Sequence, residues 1–137
     1  MAKDAYHENV RNALIKDGWH ITDDPFMIRF EDLTVYADLG AERILAAEKD
    51  NQQIVVEIKV FGGVSTISEF EKALGQYNLY RSLMKKLGIV RELYLAVSDE
   101  IYKEFFERVS IKFVIEEQDI KIFVFNPKEE VIILWKR

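Results

Sequence analysis

One apolar run constrains this chain more than any other: Ile54-Val55-Val56-Glu57-Ile58-Lys59-Val60-Phe61. It reads as a core strand, yet it carries two opposite charges two residues apart. Side chains two apart on a strand share a face. Glu57 and Lys59 therefore point the same way, with Val55 beside them. Ile54, Val56, Ile58 and Val60 point the other way, into a core. A carboxylate and an ammonium at the end of such a strand are costly unless they are paired or used. A solvated strand face with a weak ion pair is the plainer reading. The apolar surroundings weigh against it.

The remaining bounds are broad. The chain has 137 residues, 49% of them hydrophobic, which suits one folded domain over residues 1–137. It has no cysteine, so disulfides, thiolate zinc sites and thiol catalysis are excluded. That composition fits a reducing cytoplasm. The first residues lack the apolar core of a secretory leader, and no run approaches the roughly 20 apolar residues of a membrane span. The net charge of −5 argues against strong non-specific attraction to nucleic acid. It leaves nucleic-acid chemistry open, because clustered carboxylates at a metal site count as negative until a cation arrives.

Periodicity predicts a helix over 4–16, stopped at Gly18, then a short strand over 19–22. Residues 27–30 and 33–39 read as strands. Residues 43–48 and 53–61 form an expected hairpin around Lys49-Asp50-Asn51-Gln52. Gly62-Gly63 breaks the strand. A long helix follows from Ser68 to about Leu87, with Ser68 and Glu71 spaced as a capping box. Residues 90–97 read as a strand, 99–109 as a helix, and 111–117 as a helix capped by Ser110. Residues 121–125 and 131–135 form a final hairpin. This order predicts an α/β fold, a mixed sheet flanked by helices. The apolar segment Val131-Ile132-Ile133-Leu134-Trp135 makes a sticky edge if left uncovered, which favours a homodimer.

Phosphodiester hydrolysis needs a divalent cation, an activated water and positive charge near the phosphate. Magnesium takes oxygen ligands and keeps several waters, so two or three carboxylates suffice. Glu42 lies 15 positions before Glu57 on the first arm of the expected hairpin, which brings it beside Glu57 and Lys59. Asp38 lies four residues earlier, and Glu48 is near the hairpin tip. Gln76 and Tyr80 share a helix face one turn apart. Glu8, on the first helix, is a further carboxylate within reach. His7 and His20 show no ligand spacing. Gly62-Gly63 lacks the residues of a phosphate loop. The basic group Arg81, Lys85 and Lys86 ends the long helix, where cations also complement the helix dipole.

A carboxylate-bearing hairpin, Glu57-Ile58-Lys59 and Gln76-Tyr77-Asn78-Leu79-Tyr80 together resemble the PD-(D/E)XK nuclease superfamily. Its Gln-x-x-x-Tyr motif matches Gln76 and Tyr80. The resemblance implies a restriction-endonuclease-like fold with Mg²⁺ or Mn²⁺ as cofactor. It implies Glu42 and Glu57 as metal ligands and Glu42, Glu57 and Lys59 as catalytic residues. Gln76 and Tyr80 would position substrate, and Glu8, Asp38 and Glu48 would be polar groups nearby. The superfamily's first acid is usually Asp. Glu42 fits the spacing and Asp38 fits the residue type, so both stay in view.

A closer resemblance covers nearly the whole chain. His7-Glu8-Asn9-Val10, Asp38-Leu39-Gly40-Ala41-Glu42, Ala73-Leu74-Gly75-Gln76-Tyr77 and Leu93-Tyr94-Leu95-Ala96-Val97 are similar to the XisH family, the fdxN-element excision controlling factors. That resemblance implies accessory control of DNA-element excision in cyanobacteria. It also implies DNA and an XisI-like protein as partners. A non-enzymatic factor that keeps the nuclease fold is the competing expectation.

Overall fold

The computed structural model describes residues 6–34 and 44–137. Helix α1 (His7–Lys16) buries Val10, Ala13 and Leu14. Gly18 follows with φ +94°, a left-handed conformation that suits glycine, and turns the chain into β1 (His20–Asp23). Two-residue strands β2 (Arg29–Phe30) and β3 (Leu33–Thr34) pair with each other. The expected continuation of β3 to 39 lies outside the described residues, as do residues 4 and 5 of the expected first helix.

The next hairpin forms with a tighter loop than expected, and its second strand stops at Ile58, short of the expected 61. β4 (Ile44–Lys49) and β5 (Gln52–Ile58) run antiparallel with Lys49 opposite Gln52. Asp50 and Asn51 close the loop at φ +49° and +69°. Two left-handed residues match the twist of a two-residue hairpin, and Asp and Asn tolerate that conformation.

The long helix α2 (Thr66–Lys86) starts earlier than Ser68. The Ser65 hydroxyl accepts the Ser68 N–H at 3.2 Å, so Ser65 is the cap. Ser68 instead supplies one of the amides that the first turn leaves without a helical partner. β6 (Glu92–Ser98) then lies parallel to β5.

The helix expected over 99–109 divides into α3 (Asp99–Ile101) and a π-helical turn over Tyr102–Phe106. The Glu107 N–H bonds the Tyr102 carbonyl five residues back. The wider turn buries both Phe105 and Phe106, whose rings lie 5.3 and 5.7 Å from that of Phe70. Helix α4 (Val109–Glu117) begins after Arg108 with no side-chain cap, so Ser110 is not its cap. β7 (Lys121–Asn126) is parallel to β6, and β8 (Val131–Lys136) returns antiparallel at the edge.

The six-stranded sheet has the order β1-β4-β5-β6-β7-β8 and is mixed, as the order of elements predicts. Ile44, Val55, Leu95 and Val124 meet Phe70, Tyr77 and Tyr80 of α2 on one face. Leu45, Ile54, Val56, Ile58 and Phe123 meet Val10 and Leu14 of α1 on the other. Both faces of β5 are therefore core. Burying a Val, Leu, Ile or Phe side chain stabilises by roughly 1.5–3 kcal/mol, so these two layers dominate the fold's energetics. At the edge, Ile133 and Leu134 of β8 remain exposed. Among the described residues, no helix is long and apolar enough to cross a membrane.

Candidate functional site

Glu57 sits one residue from the end of β5, in the sheet interior. Its lateral neighbours are Ile44 on β4 and Leu95 on β6, both apolar. It is 1% exposed, and both carboxylate oxygens are withdrawn from solvent. Lys59 follows one pleat further on and is 7% exposed. Its N–H still donates to the Ala96 carbonyl at 3.1 Å, which holds the chain in line beyond the strand's end. The expected pair therefore lies under α2 rather than on an open face. The sheet has helices on both sides, so alternation along β5 cannot lead to water.

Tyr80 of α2 is wholly buried and packs in the same layer as Ile44, Val55 and Leu95. It has no solvent-exposed surface, so any positioning by Tyr80 is exerted from inside the layer. Gln76, one turn earlier, is half-buried. Its Oε1 is enclosed and has no hydrogen-bond partner among the described residues. An enclosed acceptor left in this state costs about 1–3 kcal/mol.

Tyr77 between them was legible only as a core position. Its hydroxyl donates to the Leu93 carbonyl at 2.7 Å and accepts the Lys121 N–H at 3.1 Å. It thereby ties together the starts of β6 and β7. Burial pushes the phenol pKa up, opposed by the Lys121 N–H and the Arg81 guanidinium; the Glu57 charge adds a smaller upward push. The available signal was a tyrosine at a core position of a helix, because a buried hydroxyl needs a partner.

Asp38 and Glu42 lie outside the described residues. Glu48 is exposed at the hairpin end of β4, opposite Gln53. That is four residues from Ile44, the partner of Glu57, or about 13 Å along the strand. The hairpin register thus separates Glu48 from the site. Helix α1 packs on the opposite face of the sheet, and the Glu8 side chain is 74% exposed, 3.5 Å from His7 Nδ1. His7 itself turns Nε2 to Asp24 Oδ1 at 2.8 Å, and Arg11 donates to Asp24 Oδ2 at 2.8 Å. This polar cluster fastens α1 to the turn after β1. Among the described residues, no three His, Asp or Glu side chains are grouped to hold a metal ion.

A model of the XisH protein family matches residues 1–133. The chain belongs to the XisH family. Two solved structures are similar to this XisH-family chain over nearly its whole length. One is an XisH family protein from Nostoc punctiforme, 38% identical, with a TM-score of 0.88 over 98% of this chain and 100% of that one. The other is an fdxN element excision controlling factor protein from Anabaena variabilis, 41% identical, with a TM-score of 0.88 over 98% and 99%. No curated protein matches the chain.

Proposed function

We propose that this XisH-family protein is an excision controlling factor that acts on DNA through a metal-dependent centre of the PD-(D/E)XK nuclease type. The observation that carries this reading is the burial of Glu57 and Lys59 at the end of a central strand. An apolar pair would fill that position at lower desolvation cost. The name of the Anabaena relative supports the role in DNA-element excision.

Glu57 is an oxygen donor of the kind Mg²⁺ and Mn²⁺ take. The enclosed Gln76 Oε1 is an acceptor suited to a hydrogen bond from a positioned water. Glu57, with Glu42 or Asp38, would hold the cation. A bound cation of this kind supplies Lewis acidity and lowers the pKa of a water. Lys59 orients the attacking water or stabilises negative charge developing on the phosphate. Gln76 orients that water, and Tyr80 holds the neighbouring side chains in register from inside the layer.

Conversion of supercoiled plasmid to nicked or linear DNA in Mg²⁺ or Mn²⁺ tests the reading. The parent protein should cut, and Glu57→Gln and Lys59→Ala should each lower the rate about 100-fold or more without loss of far-UV dichroism. Equal cutting by the parent and Glu57→Gln contradicts it. A second reading draws on the enclosure of both Glu57 oxygens and the net charge of −5: a nuclease-fold factor that binds DNA or an XisI-like partner without cutting. It predicts no cleavage by the parent, with binding that survives Lys59→Ala.

A further inference from the structure

A cleft of about 440 Å³ opens at the other end of the parallel strands, beneath the C-terminal turns of α2. Its volume lies within the roughly 300–1,000 Å³ of small-molecule sites. It is lined at the start of β6 by Leu93, whereas Lys59 bonds Ala96. The two places are therefore about 10 Å apart along the strand.

The cleft reverses the charge of the chain. Arg81, Lys85, Arg91 and Lys121 line it against two carboxylates, Glu92 and Asp119. Arg81 is fixed before any ligand arrives. Its guanidinium donates to the Asp119 carbonyl at 2.8 Å, the Gln118 carbonyl at 3.0 Å and Asn78 Oδ1 at 2.6 Å. It also stacks 5.0 Å from the centre of the Tyr77 ring. Two of its five N–H donors remain beyond those three bonds. The ammonium groups of Lys85 and Lys121 take part in no hydrogen bond or ion pair among the described residues. Arg91 reaches only the Thr22 hydroxyl and the Ile54 carbonyl, at 3.4 and 3.3 Å. The walls also present apolar surface from Met84, Ile89 and Leu93.

We infer that this cleft binds a phosphate monoester carried on a nucleotide. A phosphate monoester has a charge of about −1.5 to −2 at neutral pH, which matches the surplus of two cations. Arginine and lysine N–H groups make strong charge-assisted bonds to its oxygens. The apolar wall offers contact to the attached nucleoside. The ligand has two sources, a free nucleotide or the phosphorylated end of a DNA strand. The inference is independent of the Glu57 centre.

The test is calorimetry in EDTA, which keeps divalent cations out of the experiment. The ligands are adenosine monophosphate, adenosine, and one short oligonucleotide with either a 5′-phosphate or a 5′-hydroxyl. Adenosine monophosphate should bind where adenosine does not. Lys85→Gln and Lys121→Gln should each weaken binding about tenfold, while Glu57→Gln leaves it unchanged. Lys85 is exposed, so its substitution keeps the test valid even if Lys121→Gln disturbs the sheet. Tighter binding of the 5′-phosphorylated oligonucleotide than of its hydroxyl form assigns the site to DNA ends. Binding of the mononucleotide alone assigns it to free nucleotides. The inference is overturned if no phosphate-bearing ligand binds, or if binding is indifferent to the phosphate or to both lysines.

Discussion

The two faces of β5 are both buried, but they are not built alike. Under α1, β5 presents only apolar side chains, Ile54, Val56 and Ile58, which pack with Val10, Leu14 and Phe123. Under α2, the same strand presents Val55 and Glu57, with Lys59 just past its end, all buried. Tyr77 and Tyr80 of α2 bring hydroxyls into this second layer, as Tyr94 does into the first. One strand thus supports an apolar layer that stabilises and a mixed layer that costs desolvation. Equal burial with unequal chemistry separates what holds the fold from what the fold holds.

The largest effect should come from the apolar layer. Phe123→Ala removes a wholly buried ring that lies 4.8 Å from that of Trp135. It should cost about 3–5 kcal/mol in urea unfolding. A loss below 1 kcal/mol would break the contrast from the apolar side. The mixed layer should respond in the opposite direction. Replacing Glu57 and Lys59 together, by Leu and Met, should leave stability unchanged or raise it by about 1–4 kcal/mol. A loss of that size would make the pair structural.

Tyr77→Phe sharpens the comparison within the mixed layer. It removes both strand-linking hydrogen bonds and leaves the Lys121 N–H and the Leu93 carbonyl to find other partners. About 1–3 kcal/mol should be lost, read from the urea midpoint at constant slope. The smallest effect is a pH dependence on the apolar side. Burial, and then the neighbouring Glu92 carboxylate, push the Tyr94 phenol from 10.0 up to about 12. The stability linked to it is complete below 10.0 and is lost as pH rises towards 12, because the unfolded chain ionises first. Tyr94→Phe should flatten that part of the stability–pH curve.

Local signals carried much of the fold. Lys49-Asp50-Asn51-Gln52 marked a hairpin, and Gly18 marked a helix end, because turn residues act through their own backbone. The long amphipathic pattern of α2 and the apolar run of β6 were legible for the same reason. The π-helical turn was not. Consecutive Phe105 and Phe106 are both drawn inward by contacts with Phe70, some 35 residues away in sequence. The cap of α2 was misplaced because Ser65 and Ser68 are both competent, and the path of the preceding loop chooses between them.

The site was legible in part. Glu57 and Lys59 do share a buried face, and Gln76 and Tyr80 do share a helix face. What alternation along one strand could not say is that both faces of β5 lie under helices. Asp38 and Glu42 lie outside the described residues. In sequence the cationic cleft shows only as a basic helix end, since Arg91, Lys121 and Arg81 come together through the parallel crossovers.

The most direct measurement is Mn²⁺ titration by calorimetry of the parent protein and Glu57→Gln. The account predicts saturable binding by the parent that disappears in the variant while the fold persists. Binding that is equal in both proteins, or absent from the parent with and without DNA, would contradict it.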